Sequence, residues 1–166
     1  LLTPTDAARL HNAQLETFAR EGVDIATAFT ITHPGEAIGL INRARNLGLP
    51  FALSFTVETD GRLPTGQDLD TALDEVEEAT GGYCRYYGIN CAHPEHFGDQ
   101  LPSGWLNRIG MIRPNASRRS HAELDEAVEL DDGDPNEFGA LFAEMAKRLP
   151  ELRVVGGCCG SDMRHI

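Results

Sequence analysis

The sequence is poor in basic residues, in cysteine and in long apolar runs. Its 14 Lys and Arg are outnumbered by 26 Asp and Glu, and the net charge is −12. We therefore expect neither nucleic acid nor a membrane surface as a partner, because both attract basic protein surfaces. No apolar run approaches the roughly 20 residues of a membrane-spanning helix. Four cysteines in 166 residues are too few for a secreted disulfide scaffold, which favours metal binding or catalysis in the cytoplasm.

Several common signatures are also missing. The chain has no internal repeat of fixed period, no low-complexity segment, no phosphate-binding glycine loop and no dinucleotide-binding fingerprint. It shows no signal peptide, but it begins at Leu1 rather than at Met, so we expect the native N-terminus to be absent. Its 41% hydrophobic and 24% charged residues are typical of a globular protein with one domain and a sizeable core.

Apolar residues along the chain follow helical and strand-like spacings in turn. Helices are predicted over residues 3–21, 36–47, 69–80 and 135–148, and strands over residues 23–31, 50–57, 83–91, 107–113 and 152–156. This alternation indicates right-handed βαβ units and a parallel sheet of about five strands.

Two further segments carry predictions of their own. Residues 114–134 are predicted to form a long polar loop. Its basic cluster 117–121 is interpreted as a solvated part of the loop, whose positive charges offset the acidic run that follows. The alternative is that this cluster faces a carboxylate of a substrate. Ser161 is predicted to cap a further helix at the end of the chain.

Three cysteines lie at the ends of predicted strands. Cys91 ends one strand, and Cys158 and Cys159 stand between glycines just after the last one. Carboxyl ends of parallel strands share one edge of a sheet, where active sites of such folds are built. Three thiolates at that edge could hold Zn²⁺ and leave a fourth position open for a substrate thiol. The alternative is that they are buried free cysteines in a core.

Other uses of cysteine and histidine are also open. Cys84 lies seven residues before Cys91, about 23 Å away along an extended strand, and is assigned to the core. His93 and His96 could form a local metal site close to the same strand, but loop histidines more often make surface or hydrogen-bonding contacts. A disulfide between the adjacent Cys158 and Cys159 is disfavoured by the strain of so small a ring.

Two motifs give the chain a resemblance to a known family. Residues 88–91 (GINC) and 156–160 (GGCCG) resemble the signature of the homocysteine S-methyltransferases, and residues 113–116 (RPNA) resemble a further element of that family. The resemblance implies a (β/α)8 TIM barrel of which the five strands are the fourth to the eighth. Residues 1–166 would then be the C-terminal part of a single barrel domain, a partial barrel whose apolar edges favour association, for example into a homo-oligomer.

The same resemblance implies a reaction and its residues. Zn²⁺ would be held by Cys91, Cys158 and Cys159, and the thiol of homocysteine would take a methyl group from a sulfonium, ammonium or similar donor to form methionine. Asn90 and Asn115 would lie at the mouth of the site and bind substrate. The alternative is a zinc- or thiol-binding module of the same fold without methyltransferase activity.

One position departs from the family pattern. Where the family usually carries a glutamate that binds the amino group of homocysteine, this sequence has Phe29. Glu36 matches a later family glutamate that is structural. The resemblance therefore supports the metal more strongly than it supports homocysteine as the acceptor.

Overall fold

Five parallel strands form the centre of the molecule, which is described by a computed structural model covering residues 1–101 and 103–166. They pair in chain order, each strand parallel to the next. This arrangement confirms the predicted α/β class with a five-stranded parallel sheet. The strands are β1 (Ala26–Ile31), β2 (Phe51–Phe55), β3 (Tyr87–Asn90), β4 (Ile109–Arg113) and β5 (Val154–Val155).

Helices connect the strands, as the alternation predicted. They are α1 (Pro4–Leu10), α2 (Asn12–Glu21), α3 (Pro34–Asn46), α4 (Leu69–Thr80), α5 (Pro94–Phe97), α6 (His121–Asp125) and α7 (Pro135–Ala146). None of the helices formed by residues 1–101 and 103–166 is both long enough and apolar enough to cross a membrane.

Most helix boundaries follow from local capping chemistry. The side chain of Thr3 accepts a hydrogen bond from the backbone N–H of Asp6 at the start of α1, and Gly22 ends α2 in the left-handed conformation. The single helix predicted over residues 3–21 is wrong, because the chain breaks at His11. The His11 ring bonds Glu36 on α3 at 3.0 Å, a contact that local periodicity does not reveal.

The remaining errors concern segments whose structure depends on short caps or distant contacts. The long loop predicted over residues 114–134 contains α6, which begins with a capping box formed by Ser120 and Glu123. The helix predicted to begin at Ser161 is absent. The hydroxyl of Ser161 instead donates to the carbonyl of Cys158 at 2.6 Å, and the buried ring of His165 bonds the carbonyl of Asp132 at 2.8 Å.

The core lies between the sheet and the helices that pack against it. All five residues of β2 are buried, since this strand has a neighbour on each side and helices over its face. The two outer strands are less covered: Phe29 on β1 is 40% exposed and Val155 on β5 is 56% exposed. The sheet is therefore open at both edges, as expected for part of a barrel.

Candidate functional site

The three strand-end cysteines meet at the carboxyl edge of the sheet. Cys91 directly follows β3, and Cys158 and Cys159 follow β5. Their sulfur atoms all lie within 4.8 Å of one another. Within residues 1–101 and 103–166, no other three or more His, Cys, Asp or Glu side chains come together in this way. Sulfurs that are 67 residues apart in the chain are thus neighbours in the fold.

Two of these cysteines are covalently paired in the structure. A disulfide joins Cys91 to Cys158, whose Cα atoms are 5.5 Å apart, and Cys159 remains a free, exposed thiol. The structure therefore does not contain a disulfide between the adjacent Cys158 and Cys159. The alternative of three buried core cysteines is also wrong, because Cys159 is exposed and the other two are partly so.

Cys84 behaves as a core residue, as its sequence position predicted. It is 1% exposed and belongs to the main hydrophobic cluster. Burial raises the pKa of its thiol to about 12, since the thiolate would lose its hydration there. Cys84 is accordingly a poor nucleophile and a poor metal ligand at neutral pH.

The loop after β4 holds the cysteine pair in place. The backbone N–H of Cys158 donates to the carbonyl of Pro114 at 2.8 Å. The next N–H, that of Cys159, donates to the side-chain oxygen of Asn115 at 3.1 Å. Asn115, which was predicted to bind substrate, therefore also orients the loop that carries two of the three sulfurs.

Glycine is required at the end of this loop. Gly160 has a φ of +78°, and a Cβ built on it would lie 2.5 Å from the carbonyl oxygen of Asp131. A larger residue would force the loop away from the acidic segment that packs on it. The glycines that flank the cysteines in the sequence thus allow the sharp turn that brings both sulfurs toward Cys91.

Asn90, the other predicted substrate residue, is engaged with the end of β1. It is 2% exposed. Its side-chain oxygen accepts the backbone N–H of Thr30 at 2.9 Å, and its side-chain nitrogen donates to the Thr30 hydroxyl at 2.8 Å. The Thr30 hydroxyl in turn lies 3.9 Å from the sulfur of Cys91. Sequence reasoning did not single out Thr30.

Thr30 and Cys91 share an unusual backbone conformation. Their φ values are +59° and +54°, and they are the non-glycine residues with positive φ in the described chain. Such a conformation costs on the order of 1–3 kcal/mol and is kept only where the surroundings enforce it. Here the neighbouring contacts are the hydrogen bonds between Asn90 and Thr30 and the approach of the Thr30 hydroxyl to the sulfur of Cys91.

The backbone of Cys91 is held by three further groups. Its N–H donates to the carbonyl of Arg113 at 3.1 Å. Its carbonyl accepts hydrogen bonds from the hydroxyl of Thr56, at 3.4 Å, and from Nε2 of His121. The other ring nitrogen of His121 lies 3.2 Å from a carboxylate oxygen of Glu58. Placing His121 in a solvated cluster was therefore wrong, because this residue reaches back to the cysteine site.

Arg113 brings a positive charge to the same edge. Its guanidinium donates to the carbonyl of Gly157 at 3.1 Å and lies 5.2 Å from the centre of the Phe29 ring. It takes part in none of the ion pairs formed by the described residues. A partly buried guanidinium in this setting still has N–H donors with which it can bind an anionic group.

The two histidines after Cys91 do not join the sulfurs. His93 is 2% exposed, and its Nδ1 accepts the backbone N–H of Glu95 at the start of α5. Burial lowers the pKa of its ring to about 4. His96 bonds the carbonyl of Arg118 at 2.9 Å. Among the described residues they form no metal cluster, and His93 acts as a helix cap.

An acidic groove adjoins Cys159. Its volume is about 350 Å³. It is lined by Asn115 and His121 and by residues of the segment from α6 to Asp131. The carboxylates that line it are Asp125, Glu129 and Asp131, of which Asp131 is already paired with Arg119 at 3.2 Å. A ligand in this groove would lie beside the exposed thiol and would be favoured by positive charge.

A parallel α/β sheet with three sulfurs at its carboxyl edge is an arrangement that can hold a soft metal ion. The chain belongs to the homocysteine S-methyltransferase family, whose model matches residues 1–166. Betaine–homocysteine S-methyltransferase 1 of Rattus norvegicus is 23% identical over 185 residues, which cover 98% of this chain and 42% of that protein.

Solved structures show the same fold. The homocysteine methyltransferase MmuM from Escherichia coli in its apo form has a TM-score of 0.68 at 16% identity, covering 97% of this chain and 54% of that one. Its metallated form gives the same TM-score and identity with 49% of that chain covered, and its oxidized form gives 0.66 at 20% identity. The chain thus spans about half the length of these relatives or less.

Proposed function

We propose that this chain is the C-terminal part of a single barrel domain that uses zinc to transfer a methyl group to the thiol of homocysteine, forming methionine. The observation that carries the proposal is the convergence of Cys91, Cys158 and Cys159 within 4.8 Å at the carboxyl edge of the sheet. Family membership over the whole chain supports the reaction class. A thiolate site of this kind also favours a reducing compartment such as the cytoplasm.

The three sulfurs fit zinc. With Zn–S bonds near 2.3 Å, thiolates in tetrahedral geometry lie about 3.8 Å apart, which is within the spread of 4.8 Å that the structure shows. Three ligands leave the fourth position for a substrate. Cys91 and Cys158 can act as ligands only as thiolates, so their disulfide must first be reduced. When bound, zinc favours the ionised, nucleophilic form of an acceptor thiol.

Arg113 is the best candidate to orient the acceptor. Homocysteine carries a carboxylate, and the guanidinium of Arg113 adjoins Gly157, the residue before Cys158. The ring of Phe29, 5.2 Å from the guanidinium, closes one side of this position. No carboxylate stands at position 29 to bind an amino group.

The two asparagines have different prospects as substrate contacts. Asn115 lines the groove beside Cys159, so its amide can face a ligand while its oxygen holds the Cys159 backbone. Asn90 uses both parts of its amide to bond Thr30. We therefore keep Asn115 as a substrate-binding residue and expect Asn90 to act mainly through its neighbours.

The acidic groove suits a cationic methyl donor. Its carboxylates favour a sulfonium or quaternary ammonium group, and it opens next to Cys159. The acceptor sulfur attacks the methyl carbon in one in-line displacement. A carbon–sulfur bond forms as the bond from carbon to the donor heteroatom breaks, and the electron pair of that bond stays with the donor, which leaves uncharged.

A zinc- or thiol-binding module without transferase activity is the second candidate. It is favoured by one observation, that the chain spans only 42% of the rat enzyme and about half of the bacterial one. The open edges at β1 and β5 would then be completed by further strands or by a second copy of the chain. Stoichiometric zinc without methionine formation from any donor would favour this module.

Replacing Cys159 tests the proposal. The reduced chain should bind one zinc and form methionine from homocysteine and a cationic donor, and Cys159→Ser should lose most of both, because a hydroxyl is a far weaker ligand for zinc than a thiolate. Cys84→Ser is the matched control, since it makes the same change in the core and should keep the metal. Unchanged zinc content in Cys159→Ser would refute the assignment.

A further inference from the structure

Three residues from two separate strands form a continuous chain of hydrogen bonds that ends at a sulfur. The side-chain nitrogen of Asn90 donates to the hydroxyl of Thr30 at 2.8 Å, and that hydroxyl lies 3.9 Å from the sulfur of Cys91. Strands β1 and β3 are not neighbours, because β2 lies between them. The contact therefore crosses the sheet near Phe55, the last residue of β2, which pairs with both Ile31 and Ile89.

We infer that Thr30 is a positioning residue for Cys91, and that its hydroxyl donates a hydrogen bond to the Cys91 thiolate and holds that thiolate in place for the metal. The inference rests on the proposed function, since it concerns the same sulfur cluster. It assigns Asn90 a supporting role in place of direct substrate binding.

The direction of the hydrogen bonds follows from the donors available. A threonine hydroxyl has one hydrogen, and its oxygen already accepts from the amide nitrogen of Asn90. The hydrogen is therefore left for the sulfur of Cys91. The amide oxygen of Asn90 also holds the backbone N–H of Thr30, at 2.9 Å. Both the main chain and the side chain of Thr30 are thus fixed by one buried amide.

The backbone supports the same conclusion. In a regular strand, side chains at successive positions point to opposite faces. Thr30 and Cys91 leave the strand geometry with φ values of +59° and +54°. For a β-branched residue such as threonine this conformation is a genuine outlier. It coincides with the irregular register of β1 against β2 between Ala28 and Ile31, and it leaves the Thr30 hydroxyl 3.9 Å from the sulfur of Cys91.

A hydrogen bond to a ligand sulfur has two measurable consequences. Groups that orient metal ligands typically change metal affinity by about 10- to 100-fold when they are removed. A hydrogen bond to a thiolate also lowers the energy of the sulfur lone pair, so its loss moves the sulfur-to-metal charge-transfer band to longer wavelength. A role limited to folding would weaken metal binding at most and would leave the charge-transfer band of the metal-bound chain in place.

Thr30→Val is the principal test. Valine keeps the β-branching and nearly the shape of threonine, so it meets the same backbone restriction at φ +59° and loses only the hydroxyl. We expect the reduced variant to bind zinc about 10- to 100-fold more weakly in competition with a chromophoric chelator. With Co²⁺ in place of zinc, we expect its charge-transfer band at longer wavelength than in the unaltered chain.

Two comparisons isolate the hydroxyl. Thr30→Ser retains it and should restore both readouts. Thr56→Val is the matched control, because Thr56 is another threonine beside Cys91, more buried than the exposed Thr30, and it bonds the carbonyl of Cys91, at 3.4 Å, and not its sulfur. Its Co²⁺ band should stay in place. If Thr30→Ser behaves like Thr30→Val, the hydroxyl is not the cause and the inference is overturned.

The remaining outcomes separate this inference from the proposed function. Zinc binding by the unaltered chain together with unchanged affinity and spectrum in Thr30→Val would overturn the role of Thr30 alone. No zinc binding by the reduced, unaltered chain would overturn both. If Thr30→Val does not fold, Asn90→Asp decides: the new carboxylate draws the Thr30 hydrogen away from sulfur, so the Co²⁺ band should shift, and an unshifted band refutes the inference.

Discussion

Replacing Arg113 by glutamine should weaken the binding of a thiol that carries a carboxylate, and should leave other thiols nearly unaffected. The guanidinium takes part in no ion pair of the described residues and adjoins the loop that carries Cys158 through its bond to Gly157. The N–H donors of the guanidinium that do not bond Gly157 are therefore available to the carboxylate of the acceptor proposed above.

The size of the effect follows from the burial of the guanidinium. A hydrogen bond to a charged group contributes about 1.5–3 kcal/mol, or about 10- to 150-fold in affinity. Arg113 is only partly buried, and solvent screening places the expected loss near the lower end, at about 10- to 30-fold. Arg113→Lys should lose less, because it keeps the charge without the paired donors of the guanidinium.

The assay needs no methyl donor. Acceptor binding can be followed through the charge-transfer band of the Co²⁺-loaded, reduced chain. Homocysteine is compared with 3-aminopropane-1-thiol, which has the same thiol and amine but no carboxylate. Arg113→Gln should raise the dissociation constant of the first and change that of the second by less than about 3-fold.

Phe29→Leu serves as the control for packing. It removes the aromatic ring that lies 5.2 Å from the guanidinium but keeps the positive charge, and a cation–π contact at a partly exposed site contributes about 0.5–1 kcal/mol. We expect no more than about a 5-fold change with either thiol. An equal loss for both thiols in Arg113→Gln would refute the reasoning, because it would mean that Arg113 supports the loop and does not bind the carboxylate.

Two further predictions concern oxidation and pH. The chain with the Cys91–Cys158 disulfide should take up no zinc, and a reductant should restore binding together with two additional reactive thiols; zinc uptake by the oxidised chain would contradict this. Burial lowers the pKa of His93 from 6.5 to about 4 in the folded chain. As the pH falls below 6.5, the unfolded chain therefore takes up this proton before the folded chain does. The free energy of unfolding should decrease by about 2 kcal/mol between pH 7 and pH 5 for this reason. Urea unfolding of His93→Asn, which keeps a capping acceptor without titrating, should lack this component, and an equal pH dependence in both proteins would refute it.

Local signals in the sequence were sufficient for much of the fold. The helix Leu69–Thr80 was predicted with the bounds it has, because an apolar face and a terminating glycine pair are both local features. The order of helices and strands predicted a parallel sheet, and strand-end positions predicted that Cys91 would meet Cys158 and Cys159. Each of these inferences needs only a spacing, a cap or the direction of a strand.

Predictions failed where a distant contact replaced the local preference. Ser161 has the chemistry of a helix cap, but its hydroxyl bonds the carbonyl of Cys158. His121 lies in a basic, polar stretch that looks solvated, but its ring bonds Cys91, 30 residues earlier. The bonds of the Asn90 amide to Thr30, 60 residues away, are likewise invisible to local patterns, and substrate binding by Asn90 stays a prediction.

The sequence by itself determined the class of fold and the identity of the three sulfurs, because these depend on residue type, on periodicity along the chain and on two motifs that resemble those of a known family. Only the tertiary structure decided which groups surround those sulfurs: the Thr30 hydroxyl, the His121 ring and the Arg113 guanidinium. The physical reason is that a contact between residues 30 or 61 positions apart exists only after the strands have paired and their ends have been brought to one edge of the sheet.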